Sequence, residues 1–140
     1  MNDRIFLDTN VFVYALSKGV PSKQAIATRL VEEAIESGKG CISFQVVQEF
    51  FNVAFRRFTP PMTPAEAEQY LSVTFRPLLA VHSSHSLYGE ALQLFGKNSV
   101  SWYDALMLAA AIEGQCGVLY SEDFQHGQKF LGLRVVNPFL

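Results

Sequence analysis

Short apolar runs of strand length alternate along this chain with longer stretches whose apolar residues recur at helical spacing. The first run, Ile5-Phe6-Leu7, stops at Asp8; Thr9 and Asn10 follow, and apolar residues resume at Val11. This pattern predicts a buried strand turning directly into a short helix over 11–16, capped by Thr9 or Asn10, with Asp8 at the strand's carboxyl end. Gly19 and Pro21 break that helix, and a longer one is predicted over 22–37, closed by Gly38 and Gly40. A second strand over 41–43 leads into a helix over 45–58 that carries Glu49 among Val46, Phe50 and Val53. The segment 59–64 is the clearest loop, and Thr63, Pro64 and Glu66 form a capping-box signature for a helix reaching about residue 75. Pro77 stops it before a third strand over 78–81. A helix starting at Ser84 or His85 ends near Gly96, and another opens at Ser101 and runs through Ile112 to Gly114. Strands over 118–120 and 133–136 complete the reading, with Ser121-Glu122-Asp123 after the former.

Strands alternating with helices predict a parallel sheet covered on both faces. Right-handed crossovers bring the carboxyl ends of its strands to one edge, where chemistry collects in open α/β sheets. Asp8 and Asp123 follow strands, Glu49 sits one turn into the helix after the second strand, and Asp104 lies in the first turn of its helix. Each has an ordinary explanation: a helix cap for Asp8, a solvated border residue for Glu49, a capping-box acid for Asp104, and a loop acid beside Glu122 for Asp123. Gathered at one edge, however, carboxylates repel and raise one another's pKa. A hard cation such as Mg²⁺ or Mn²⁺ relieves that repulsion and accepts phosphate oxygens. Such an ion can activate water and stabilise the charge of phosphodiester cleavage. Zinc would call for His or Cys, and His82, His85 and His126 have no motif spacing; they read as loop or surface residues.

Composition narrows the picture. The 140 residues suit one domain over 1–140, and 49% hydrophobic with 17% charged residues describes a globular chain. A net charge of -2 excludes an overall basic nucleic-acid binder, so any RNA contact needs a local basic patch or a partner. Arg56 and Arg57 are the basic pair nearest Glu49 in sequence, with two readings: RNA-backbone contacts, or solvated charges at a helix end. Trp102 reads as a base-stacking residue or as a buried or partner-facing one. Cys41 and Cys116 lack paired-motif spacing and read as small core residues of a reduced, cytoplasmic protein. The acidic amino-terminal stretch does not resemble a signal peptide, and the longest apolar run, 105–112, is too short to span a bilayer. The expectation is a soluble intracellular protein.

D-T-N-V at Asp8, Q-E-F at Gln48 to Phe50, S-W-Y-D-A at Ser101 to Ala105 and S-E-D at Ser121 to Asp123 resemble, in this order, the PIN domain family. They are most similar to the VapC-like toxins of bacterial toxin–antitoxin pairs. The resemblance spans nearly the whole chain. It implies a three-layer α/β/α sandwich with a central parallel sheet. It also implies a Mg²⁺- or Mn²⁺-dependent endoribonuclease, commonly a homodimer, inhibited by a cognate antitoxin protein. Carried over by position, Asp8, Glu49, Asp104 and Asp123 form the metal-binding catalytic quartet, with Asp8 and Asp104 as principal ligands and Asn10 and Ser121 in support. The family's pattern of a hydroxyl residue, a variable residue and then Asp selects Asp123 over Glu122. Long apolar helices flanking the loop 59–64 are the expected partner surface. The competing reading is a PIN-fold module that binds RNA or protein with little catalysis, which the presence of all four acids opposes. A phosphatase using Asp8 as nucleophile would want a second acid where Asn10 stands, and a receiver-type phosphoacceptor would want one after the third strand, where His82 and Ser83 stand.

Overall fold

β1 (Arg4–Leu7) occupies the middle of the sheet, where its apolar run is covered from both faces; Phe6 and Leu7 are fully buried. The computed structural model describes residues 3–140. After β1 come α1 (Thr9–Leu16), α2 (Pro21–Ser37), β2 (Gly40–Ser43) and α3 (Phe44–Arg56). Then follow α4 (Pro64–Tyr70), β3 (Leu79–Val81), α5 (His85–Lys97), α6 (Trp102–Glu113), β4 (Cys116–Tyr120), β5 (Lys129–Phe130) and β6 (Leu133–Val136). Among the described residues these six strands form one sheet in the order β3-β2-β1-β4-β6-β5. Every pairing is parallel except β5 with β6, so the expected parallel sheet is a mixed one with an antiparallel edge. β5 escaped the sequence pattern because two residues carry no periodicity.

Chain order reverses once within the sheet. β1, β2 and β3 build outward in one direction, and β4 returns to the other side of β1. The crevice outside the carboxyl ends of β1 and β4 is therefore a topological switch point, the usual ligand position in such sheets. α1 packs on α2 and α3, and α5 packs on α6, giving two helical groups against the sheet.

Element boundaries depart from the sequence pattern in ways that local chemistry explains. Asp8 itself, rather than Thr9 or Asn10, is the N-cap of α1, because its side chain accepts the Thr9 N–H at 2.6 Å. α2 starts at Pro21, which is suited to a first helical turn where no N–H is required. The Thr63 and Glu66 capping box forms in full, but α4 stops at Tyr70 and continues as a π-helical turn, Leu71–Phe75. That wider turn lets Tyr70 and Phe75 both reach Phe50, with ring centroids at 5.1 and 5.3 Å. Gly40 is required by close approach: a Cβ there would lie 2.6 Å from both Ala34 Cβ and Leu78 Cδ2. Cys41 and Cys116 are buried free thiols. Among the described residues no helix is long and apolar enough to cross a membrane.

Phe50 is the hub that pins α3. It is fully buried and also meets Phe51 and Phe58 edge to face. Phe50→Ala is expected to cost about 3–5 kcal/mol of folding stability, read from the urea midpoint. A midpoint within error of wild type would remove Phe50 from this role.

Candidate functional site

The site grows from the pairing of β1 with β4. Leu7 is in register with Tyr120, and the Asp8 N–H donates to the Tyr120 carbonyl at 3.0 Å. This places Asp8 beside Ser121, whose own N–H donates to Val136 O at 3.0 Å. Ser121 Oγ donates to Asp8 Oδ2 at 2.6 Å and accepts the Asp123 N–H at 3.0 Å. Asn10, in the first turn of α1, donates through Nδ2 to Asp123 Oδ2 at 3.2 Å. Across the crevice, Thr9 Oγ1 donates to Glu49 Oε1 at 2.8 Å. Gln45, one turn before Glu49 on α3, donates through Nε2 to Glu49 Oε2 and to the Tyr103 carbonyl, both at 3.1 Å. Gln45 thus ties α3 to the first turn of α6, where Asp104 sits. The Asp104 N–H donates to Ser101 Oγ at 3.1 Å, so Ser101 caps α6 as its sequence suggested.

Burial and like charge dominate the electrostatics. Asp8 is only 3% exposed. Burial raises its pKa from 3.8 to about 7, against the Ser121 hydrogen bond and with the help of the Asp123 and Glu49 charges. Asp104 is also raised, first by burial, then against Ser101 and with the charges of Asp123 and Glu49. Asp8 and Asp104 therefore both feel the charges of Glu49 and Asp123 across the crevice. Among the described residues no three of them stand close enough to clasp an ion as placed. Instead Asp8, Glu49 and Asp123 turn to neutral donors, as repelling carboxylates do. The donor set is all oxygen, one carboxylate is almost fully buried, and Asn10 Oδ1 is buried without a hydrogen-bond partner. These features fit a hard divalent cation rather than zinc.

A shallow depression of about 400 Å³ opens over the crevice, with Thr9, Asn10, Glu49, Asn52, Arg57 and Asp123 in its lining. Arg57, the C-cap of α3, reaches it; Arg56 is exposed and does not line it. The adjacent acid, Glu122, does not line the depression; it is held by Tyr14, which does, at 2.5 Å and by Lys23 at 2.9 Å. His82 and His85 are exposed, and exposed His126 accepts the Asn137 N–H through Nδ1. Trp102 is half-buried, edge to face with Phe95. Sequence reasoning missed Thr9 as the partner of Glu49, and it also missed Gln45, Asn52, Tyr14 and Lys23. Only Gln45 left a usable signal, its four-residue spacing from Glu49 on one helix face.

An acidic crevice at the switch point of a mainly parallel α/β sheet defines the class of the molecule. The sequence matches the PIN domain family over residues 5–128, and the chain belongs to that family. Among solved structures it is similar to Mycobacterium tuberculosis VapC20, a sarcin–ricin loop cleaving toxin, with TM-score 0.63 and 20% identity over 93% of this chain and 98% of that one. It is likewise similar to a chain of a toxin–antitoxin complex from Klebsiella pneumoniae, with TM-score 0.63 and 18% identity over 96% and 97%. No curated protein matches the sequence.

The raised Asp8 pKa sets a pH dependence. Between about pH 4 and 7 the folded chain holds a proton that the unfolded chain has released. Metal-free stability therefore falls as pH rises through that window and levels off above it. Asp8→Asn removes this penalty, so in chelator at pH 8 the variant is expected to melt about 5 °C above wild type, with the difference vanishing near pH 4. Equal melting temperatures at pH 8 would contradict a strained Asp8 carboxylate.

Proposed function

We propose that this chain is a Mg²⁺- or Mn²⁺-dependent endoribonuclease, the toxin of a toxin–antitoxin pair. The observation that carries the reading is the nearly buried Asp8 carboxylate surrounded by the charges of Asp123 and Glu49 at the sheet's switch point. Similarity of fold to VapC20 and to the Klebsiella complex favours the toxin assignment. Asp8 and Asp104, with Glu49 and Asp123, would hold the cation. The chemistry supplied by that ion when bound is activation of a water and neutralisation of charge at the scissile phosphodiester. The remaining work belongs to side chains. Ser121 and Thr9 N–H hold Asp8, Asn10 holds Asp123, and Thr9 with Gln45 orients Glu49. Arg57 contacts the RNA backbone from the depression.

The partners in this reading are an RNA substrate, a cognate antitoxin and a second copy of the chain, in the cytoplasm. Phe55 on α3, with Leu71 and Val73 after α4, is exposed on the helices flanking residues 59–64 and offers an apolar surface for a partner.

The deciding experiment is cleavage of a total RNA pool by wild type and by Asp8→Asn, matched in fold by circular dichroism, in Mg²⁺, Mn²⁺ or chelator. Cleavage is expected only with metal, and at least about 100-fold slower in the variant. A folded wild type that neither cuts RNA nor binds Mn²⁺ in a calorimetric titration would instead favour a binding module. A second prediction separates the arginines. Arg57→Ala should weaken RNA binding and lower the salt slope by about 1, whereas Arg56→Ala leaves the slope unchanged. Equal slopes for the two variants would remove Arg57 from the RNA path.

A further inference from the structure

The turn after β4 offers two consecutive acids, Glu122 and Asp123, and the structure separates them. Both are gripped by α1. Asn10 donates to Asp123, and Tyr14, four residues later, donates through Oη to Glu122 Oε1 at 2.5 Å. Residues four apart share one face of a helix, so a single rigid element holds the two carboxylates at successive turns. From α2, Lys23 Nζ donates to Glu122 Oε2 at 2.9 Å and to Tyr14 Oη at 3.2 Å, which closes a three-membered ring of side chains. The ammonium also lies 4.6 Å from the Tyr14 ring centroid and 5.5 Å from that of Phe139. Phe139 packs edge to face on Tyr14 at 5.0 Å and so covers the ring from the carboxyl-terminal segment.

We propose that Tyr14 and Lys23 are positioning residues that hold Glu122 out of the acidic crevice, so that Asp123 alone of the two faces it. The inference rests on the acidic metal-site reading above. Magnitude argues for geometry rather than stability as the role of this ring. A solvent-screened ion pair, with both side chains partly exposed, adds little to folding stability. Placement matters more, because a fifth carboxylate swinging into the crevice would add to its repulsion, and a loosened turn would displace Asp123 from Asn10 and Ser121.

The test compares the wild-type chain with the double variant Tyr14→Phe/Lys23→Met and with Lys23→Arg. Two readouts are taken: Mn²⁺ affinity by calorimetry, and exchange of the Asp123 amide proton by NMR. The double variant is expected to bind Mn²⁺ about ten-fold more weakly. Its Asp123 amide should exchange at least about ten-fold faster, while sheet amides remain protected as in wild type. Lys23→Arg, which keeps a donor and a charge, should retain wild-type values in both readouts. A double variant with wild-type Mn²⁺ affinity would overturn the proposal, as would uniformly faster exchange across the sheet, which signals only a weakened fold. A wild type that binds no Mn²⁺ would instead overturn the metal-site reading, and the Asp123 exchange rate would then decide the clamp alone: faster supports it, unchanged ends it.

Discussion

The structure is arranged around a carboxylate placed where a carboxylate is costly. Asp8 ends the central strand, almost without solvent, and its neighbours across the crevice are other acids. Two short hydrogen bonds, from the Thr9 N–H and Ser121 Oγ, offset part of that cost. They also make Asp8 a helix cap, so one side chain terminates β1, starts α1 and faces the crevice. A cap alone would not need such burial, because exposed N-caps do the same work. The surplus strain is explained if the fold keeps the carboxylate ready for a cation that relieves it.

Glu49 and Asp123 are likewise met by neutral donors on rigid elements, Glu49 by Thr9 and Gln45 and Asp123 by Asn10. Ser121 Oγ and Ser101 Oγ instead accept the backbone N–H groups of Asp123 and Asp104 and so fix the turns that carry them. Using amides and hydroxyls in place of lysine or arginine has a consequence. A fixed cation would neutralise the crevice permanently and compete with a metal, whereas neutral donors orient the carboxylates and leave their charge available. Lys23 is engaged with Glu122, which does not line the depression.

Legibility in the sequence followed distance along the chain. The α/β class and the parallel core could be read, because β1, β2, β4 and β6 are apolar runs between helical stretches and sheet connectivity obeys few rules. Asp8, Asp104 and Asp123 stand out in the sequence because each lies at or just past an element boundary, where periodicity breaks, whereas Glu49 lies inside α3. What stayed hidden depended on pairs remote in sequence or on elements too short to repeat. Thr9 looked like a cap until α3 brought Glu49 to its hydroxyl, 40 positions away. Lys23 gains its partner only when the β4 turn, 99 positions on, places Glu122 against it. β5 and the π-helical turn are set by packing against β6 and Phe50, which no local pattern announces.

The net charge of -2 looks awkward for the proposed action on RNA, and the arrangement of the acids bears on it. Glu122 is paired with Lys23, and the crevice acids are the ones a divalent ion would neutralise. Once those are discounted, the surface facing a polyanion is less negative than the formal total suggests. Arg57 then needs no basic field around it: a guanidinium at the lip of the depression, within the same turn region that ends α3, can fix one phosphate beside the acids. If the proposed ribonuclease reading holds, affinity resting on a few such contacts plus a metal would be weak without the right RNA shape, and shape would then be the source of selectivity.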